Sequence, residues 1–168
     1  MLTIKRIHGT REVVKELQNV FENSPDYSLR CTGSLPRGTE AEELFTGKPS
    51  GVAFDDGLVF SICLNDEIIG CIDLIRSYPE VNTVFIGLLL LAEQYQQNNY
   101  GSHAYRLLEE KIDTWPQIKK VRLGVLKTNE IVAPFWSKMG FSDTGRRVPY
   151  HSGPVESEIM LFEKELKK

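Results

Sequence analysis

Three cysteines, Cys31, Cys63 and Cys71, are too few and too scattered to build a disulfide framework, and none has the paired spacing of a zinc site. They read as reduced, mostly buried thiols of a cytoplasmic protein, and no metal is expected. Basic residues are not in excess: the formal charge is −3, which disfavours a general nucleic-acid binder with its basic face. The first residues, MLTIKRIHGTREVV, alternate in polarity without a long apolar stretch and predict neither a signal peptide nor a membrane span. Neither a G-x-G-x-x-G fingerprint nor a phosphate-loop lysine occurs, which argues against a generic nucleotide-binding α/β domain. No repeat, linker or low-complexity tract divides the chain, and its length suits one domain over residues 1–168.

What the chain does carry is a junction between Gly87 and Ile112, GLLLLAEQYQQNNYGSHAYRLLEEKI. Leu88 to Leu91 form an apolar run of strand length, ended by the polar segment Gln94 to Asn99. A helix is predicted from near Gly101, with Ala104, Leu107, Leu108, Ile112 and Trp115 on one face. The first turn of a helix leaves N–H groups unpartnered, and the aligned peptide dipoles make that end a site for phosphate oxygens. Asn98, Asn99 and Gly101 suit a turn that exposes its own backbone, since asparagine tolerates positive φ and glycine has no Cβ to block a ligand. From Gln94 to Tyr105 there is no Lys or Arg, so main-chain amides must supply most of the grip.

Around this junction the pattern alternates strand and helix. Leu2 to Ile7 reads as a strand, followed by a helix capped by Thr10 with Val13, Val14, Leu17, Val20 and Phe21 on its apolar stripe. Ser24-Pro25-Asp26-Tyr27 is expected to end that helix, and residues up to Ser50 to be irregular apart from a short acidic helix near Thr39 to Leu44. Leu58 to Leu64 and Ile68 to Ile75 pair as a hairpin about Asn65-Asp66, and Val84 to Leu91 follows as the third strand of a meander. Trp115-Pro116 stops the helix; Lys120 to Leu126 is a strand expected to run parallel to the one ending at Leu91. Asn129 to Met139 is predicted helical, with Pro134 in its first turn or after an irregular start, and Gly140 ends it. Phe141 to Arg147 and Glu158 to Glu165 close the sheet, with Val148 to Ser157 as a loop between them.

Two separated pieces match one pattern in the right order. Gln96-Gln97-Asn98-Asn99-Tyr100-Gly101 resembles the Q/R-x-x-G-x-G/A signature of the GNAT superfamily of acetyl-CoA-dependent N-acetyltransferases. NEIVAPFWSKMGF, Asn129 to Phe141, is similar to that family's later motif. The resemblance implies an α/β (α+β) fold: a mixed, mostly antiparallel twisted sheet of six to seven strands, flanked by about four helices and splayed at a central parallel pair. It implies that Leu89, Leu90 and Leu91 line the pantetheine arm of acetyl-CoA and that Gln96, Gln97, Asn98, Asn99, Tyr100, Gly101 and Ser102 wrap its pyrophosphate. Asn129 would touch the cofactor from the neighbouring strand, with Phe135 and Trp136 flanking it. Splayed strands leave N–H and C=O groups that an amide-bearing cofactor can pair like an added strand. Two residues depart from the family's pattern. Asn99 stands at its first glycine, and Trp136 stands where many members carry a tyrosine thought to protonate the leaving thiolate, which an indole cannot do.

The implied reaction is acetyl transfer from acetyl-CoA to a primary amine of a small molecule, peptide or protein, by direct attack in a ternary complex. It needs a neutral amine, an oxyanion site, for which the N–H near Leu91 is expected, and relief of charge on sulfur. Many members use a glutamate in the fourth strand, and Val84 to Leu91 has no acidic residue. The base candidates are Asp73, Glu93 and Glu80, and the acid candidate is Tyr150, in a segment resembling the acceptor-site wall. Each has a structural alternative: hydrogen-bond acceptor, solvated loop residue or packing ring. Tyr100, His103 and His151 rank lower, and a water relay would need none of them. No cysteine has a histidine at suggestive spacing, which favours direct attack over an acyl-cysteine. Ser24 to Ser50 and Val148 to Ser157 are expected to shape the acceptor pocket. The second reading, a non-catalytic acyl-CoA sensor or interaction module, rests on the missing glutamate and Trp136. Expected partners are acetyl-CoA and an amine acceptor, with no nucleic acid and no membrane; a homodimer stays open.

Overall fold

The computed structural model describes residues 1–168 and contains strands β1 (Leu2–Ile7), β2 (Gly57–Leu64), β3 (Glu67–Arg76), β4 (Thr83–Leu91), β5 (Lys120–Leu126), β6 (Ser142–Ser152) and β7 (Val155–Glu165). They form one seven-stranded sheet in the order β1-β2-β3-β4-β5-β7-β6. Every neighbouring pair is antiparallel except β4 and β5. Five α-helices, α1 (Arg11–Glu22), α2 (Pro25–Thr32), α3 (Glu40–Thr46), α4 (Tyr100–Asp113) and α5 (Ala133–Lys138), flank it. No helix is long and apolar enough to cross a membrane.

The two faces of the sheet carry separate cores, which explains why β4 can present four leucines in a row. Leu91 packs with Phe60, Ile72 and Ile86 against Ala104, Tyr105, Leu108 and Ile112 of α4. Leu90 packs with Val59 and Cys71 against Leu17, Val20 and Phe21 of α1 and Ala41 of α3. A strand covered on both faces needs apolar residues at both parities. The α4 core continues into edge-to-face contacts of Tyr105 with Trp136 and Phe141, at 5.7 and 5.6 Å between ring centroids.

Two irregularities of the sheet shape the site. Asp73 pairs with Leu88 and Leu74 with Ile86, so Gly87 is an extra residue, a β-bulge in the middle of β4. The parallel pairing of β4 with β5 covers only Thr83–Ile86 against Lys120–Leu123. Beyond that, β4 stays paired with β3 as far as Leu91 and β5 with β7 as far as Leu126, and a slot opens between β4 and β5. Its closed end is clamped by Arg122, buried on β5, which donates to Glu163 Oε2 at 2.6 Å and to Glu80 Oε1 at 3.1 Å. Glu80 is thereby occupied at the end of the slot away from the opening.

Several expectations are corrected. Pro25 does not end helical structure; it starts α2 at the first helical position, where its missing N–H costs nothing, and Gly33 at φ 74° closes the helix. The segment Val148 to Ser157 is not a loop but the end of a β6–β7 hairpin, paired from Val148–Ile159 to Ser152–Val155, so Tyr150 is a strand residue opposite Ser157. Trp115 lies beyond α4, which ends at Asp113. The predicted helix from Asn129 is two pieces, a 3-10 segment Lys127–Val132 and then α5, with Asn129 out of helical geometry at the start and Pro134 in the first turn of α5.

Candidate active site

The turn into α4 is built to show its amides outward. Gln97 and Asn99 take left-handed φ values of 64° and 63°. The N–H groups of Gln97, Asn98, Asn99, Tyr100, Gly101 and Ser102 make no hydrogen bond within the chain, and the first helical bond is His103 N–H to the Asn99 carbonyl at 3.1 Å. Such a concave run of free amides at a helix start is an anion site. Asn98 and Gln96 spend their side chains on the turn itself: Asn98 Nδ2 donates to the Gln96 carbonyl at 3.0 Å, and Gln96 Nε2 donates to the Leu91 carbonyl at 2.9 Å. That carbonyl also accepts from Ser24 Oγ at 3.3 Å, which seats the helical face of the site on the strand end. Phe135 lies 3.4 Å from the Cβ position of Gly101, closing the turn from the α5 side. Trp136 is buried in the aromatic core behind it.

On the other face of the sheet, a cavity of ≈ 370 Å³ lies between β3, β4 and the helices α1 to α3. Asp73, Gly87 and Leu88 form its floor; Tyr27, Cys31 and Tyr150 line one side and Glu40, Glu43 and Arg37 another. The slot between β4 and β5 begins at Gly87, so cavity and turn meet through the sheet. Asp73 Oδ2 is 3.1 Å from the Cβ position of Gly87. Burial raises the Asp73 carboxyl above the ordinary carboxylate range, although the hydrogen bond and charge of Lys48 pull the other way. Burial and the Asp73 charge push the Cys71 thiol up to about 12, so it stays protonated and cannot serve as a nucleophile.

The remaining polar groups are paired. Glu43 bonds Arg37 at 2.9 Å and Thr39 Oγ1 at 2.8 Å. Burial works against the charge of Glu40, but the N–H groups of Arg37 and Gly38 and the Gln18 side chain hold its carboxyl below the ordinary range. Tyr150 donates its hydroxyl to the Cys31 carbonyl at 2.7 Å, and Arg30 Nε donates to Asn129 Oδ1 at 2.6 Å. These two bonds tie α2 to β6 and to the segment after β5. Glu93 follows β4, where its Oε2 accepts the Asp26 N–H of the first turn of α2 at 2.9 Å.

The structure thus brings Asp73 and Tyr150 to one cavity and the Gln96–Ser102 amides to one turn, with Leu89 to Leu91 along the slot. Glu93 stands outside the cavity, committed to the start of α2. The segment Ser24 to Ser50, expected to shape a pocket, supplies Tyr27 and Cys31 to the cavity, but sequence reasoning did not single out these two, nor Arg30 and Lys48. Pro25 at a helix start was the signal that could have brought in Tyr27, Arg30 and Cys31; nothing in GKPSG marks Lys48. Gly87, an isolated glycine in an apolar strand, was a readable sign of the bulge.

A mixed sheet that splays at its single parallel pair, beside bare amides at a helix start, is the fold of acetyltransferases. The family model described as Acetyltransferase (GNAT) family matches residues 23–141, and the chain belongs to that family. Among solved structures, an acetyltransferase from Thermus thermophilus superposes with a TM-score of 0.71 at 22% identity, over 98% of this chain and 97% of that one. PaiA N-acetyltransferase from Thermoplasma acidophilum in complex with coenzyme A gives 0.67 at 19% identity, over 99% of each chain. A GNAT family acetyltransferase from Elizabethkingia anophelis with acetyl-CoA bound gives 0.62 at 20%, over 98% of each. No curated protein sequence matches the chain.

Proposed function

We propose that the protein, acting as one N-acetyltransferase domain over residues 1–168, transfers an acetyl group from acetyl-CoA to a primary amine by direct attack. The observation that carries this reading is the slot itself: it opens at Gly87, with free turn amides at one end and a cavity holding a desolvated carboxylate on the opposite face. Its fold relatives from Thermoplasma acidophilum and Elizabethkingia anophelis, solved with coenzyme A and acetyl-CoA, support the same ligand here.

In this reading the N–H groups of Gln97 to Ser102 hold the pyrophosphate and β4 from Leu89 to Leu91 pairs with the pantetheine amides. Phe135 packs beside the turn and Asn129 fixes the opposite wall through Arg30. The amine enters through the α1–α3 cavity. Asp73 takes its proton, the nitrogen attacks the thioester carbon, and the strand amides near Leu91 stabilise the oxyanion. Tyr150 releases the Cys31 carbonyl to protonate the departing thiolate. Glu93 is left out of the chemistry because its carboxylate holds α2. The cationic form of a substrate amine matches a cavity floored by a carboxylate.

The test is release of free thiol from acetyl-CoA across a panel of amines, alongside stabilisation against heat by coenzyme A. Turnover with at least one amine is expected, and Asp73→Asn should lower kcat/KM by about 100-fold. Stabilisation without thiol release for any amine would replace the enzyme by an acyl-CoA sensor.

A further inference from the structure

Lys48 follows α3 in a Gly-Pro-bearing segment, yet its side chain turns inward. Its ammonium meets Asp73 Oδ1, and the two side chains are only 21% and 20% exposed. The path depends on glycine at the start of β2: a Cβ on Gly57 would stand 2.9 Å from Lys48 Cε. The other oxygen of the same carboxylate lies against Gly87, the bulged residue where the slot opens. A primary amine of the chain is therefore already bonded to Asp73, the floor residue of the cavity and the group assigned as base. As a purely structural ion pair it is poorly placed, since desolvating both charges offsets much of their attraction and ordering a lysine side chain costs entropy.

We propose that Lys48 is itself an acceptor, acetylated on Nζ by its own chain in the presence of acetyl-CoA. The inference rests on the acetyltransferase reading above. Asp73 takes one proton from the ammonium, and the neutral nitrogen attacks the thioester carbonyl carbon. The C–N bond forms, the tetrahedral intermediate collapses with cleavage of C–S, and the second proton lost by nitrogen ends on the thiolate. The products are free coenzyme A thiol and an amide at Lys48, and Asp73 returns its proton to solvent. Tethering replaces a bimolecular encounter, so no external amine is required. The event happens once per chain and erases the charge that pairs with Asp73, freeing that carboxylate for an incoming amine.

The experiment incubates the full chain with acetyl-CoA and no added amine. The expected result is a burst of a single equivalent of thiol per chain, with peptide mass spectrometry finding the acetyl group on Lys48. The exposed Lys5 and Lys127 should react at least about tenfold more slowly, as an intramolecular advantage demands. The rate per chain should not change with protein concentration. Lys48→Arg should lose the burst and keep its stabilisation by coenzyme A. Even labelling of Lys5, Lys48 and Lys127, or a rate rising with protein concentration, would overturn cis acetylation. An unmodified Lys48 in a protein that does acetylate added amines would sink this inference alone. Absence of any stabilisation by coenzyme A would sink it together with the enzymatic reading.

Discussion

Burial raises the Asp73 carboxyl while Lys48 lowers it, and the first effect is the larger. Removing Lys48 leaves burial unopposed, so the folded-state pKa rises further. A base works only when ionised, and Lys48→Gln should therefore shift the acid limb of the kcat/KM profile to higher pH than in Lys48→Arg, which keeps a charge beside Asp73 and cannot be acetylated there. The check is a pH–rate series on both proteins with one added amine. An unmoved limb would assign it to another group. Asp73 was legible in the sequence because a carboxylate inside an apolar strand must find a partner or lose its charge. Its partner was not: Lys48 is a lysine in a turn-rich segment, where composition predicts a solvated side chain and only the fold decides that it returns to the sheet.

Among the elements, β4 was read correctly as a strand and α4 as an amphipathic helix, because both carry long periodic patterns. The helix α2 was not, since eight residues with a leading proline carry too little periodicity to outweigh the usual reading of proline as a breaker. The end of the β6–β7 hairpin escaped for the opposite reason, its Gly-Pro turn sitting between segments too polar to read as strands. Strand contact also sets a limit on β3. A Cβ on Gly70 would collide with the Leu90 carbonyl oxygen and stand 2.8 Å from Leu91 Cδ2. The first of these is backbone and cannot turn aside. Gly70→Ala should therefore cost about 1–3 kcal/mol, read as a lower denaturant midpoint, and push β4 out of line with the slot so that coenzyme A binding weakens in parallel. Unchanged stability would show that the strands part freely here.

For the whole molecule, the telling fact is how little backbone ladder joins β1–β4 to β5–β7. Four residues of parallel ladder, Thr83–Ile86 on Lys120–Leu123, the bond of Arg122 to Glu80 and the Lys119 and Lys120 N–H groups on the Asn82 carbonyl form the direct seam in the sheet. The arrangement of strands was legible from alternation and connection lengths; the shortness of this seam was not, because both strands continue in sequence past the point where they part. A ligand lodged between them would join β4 to β5 beyond the strip where the strands pair, adding to the core that α4 already shares with both halves of the sheet. Amide hydrogen exchange should therefore slow on coenzyme A binding in β5 and its flanking segment Lys127–Val132 as well as in β4, although the predicted phosphate contacts lie only at α4. Slowing confined to the α4 turn would mean that the two halves are already rigid. If both halves respond, the missing length of ladder is a gap left open for its occupant, and the sheet becomes continuous only when loaded.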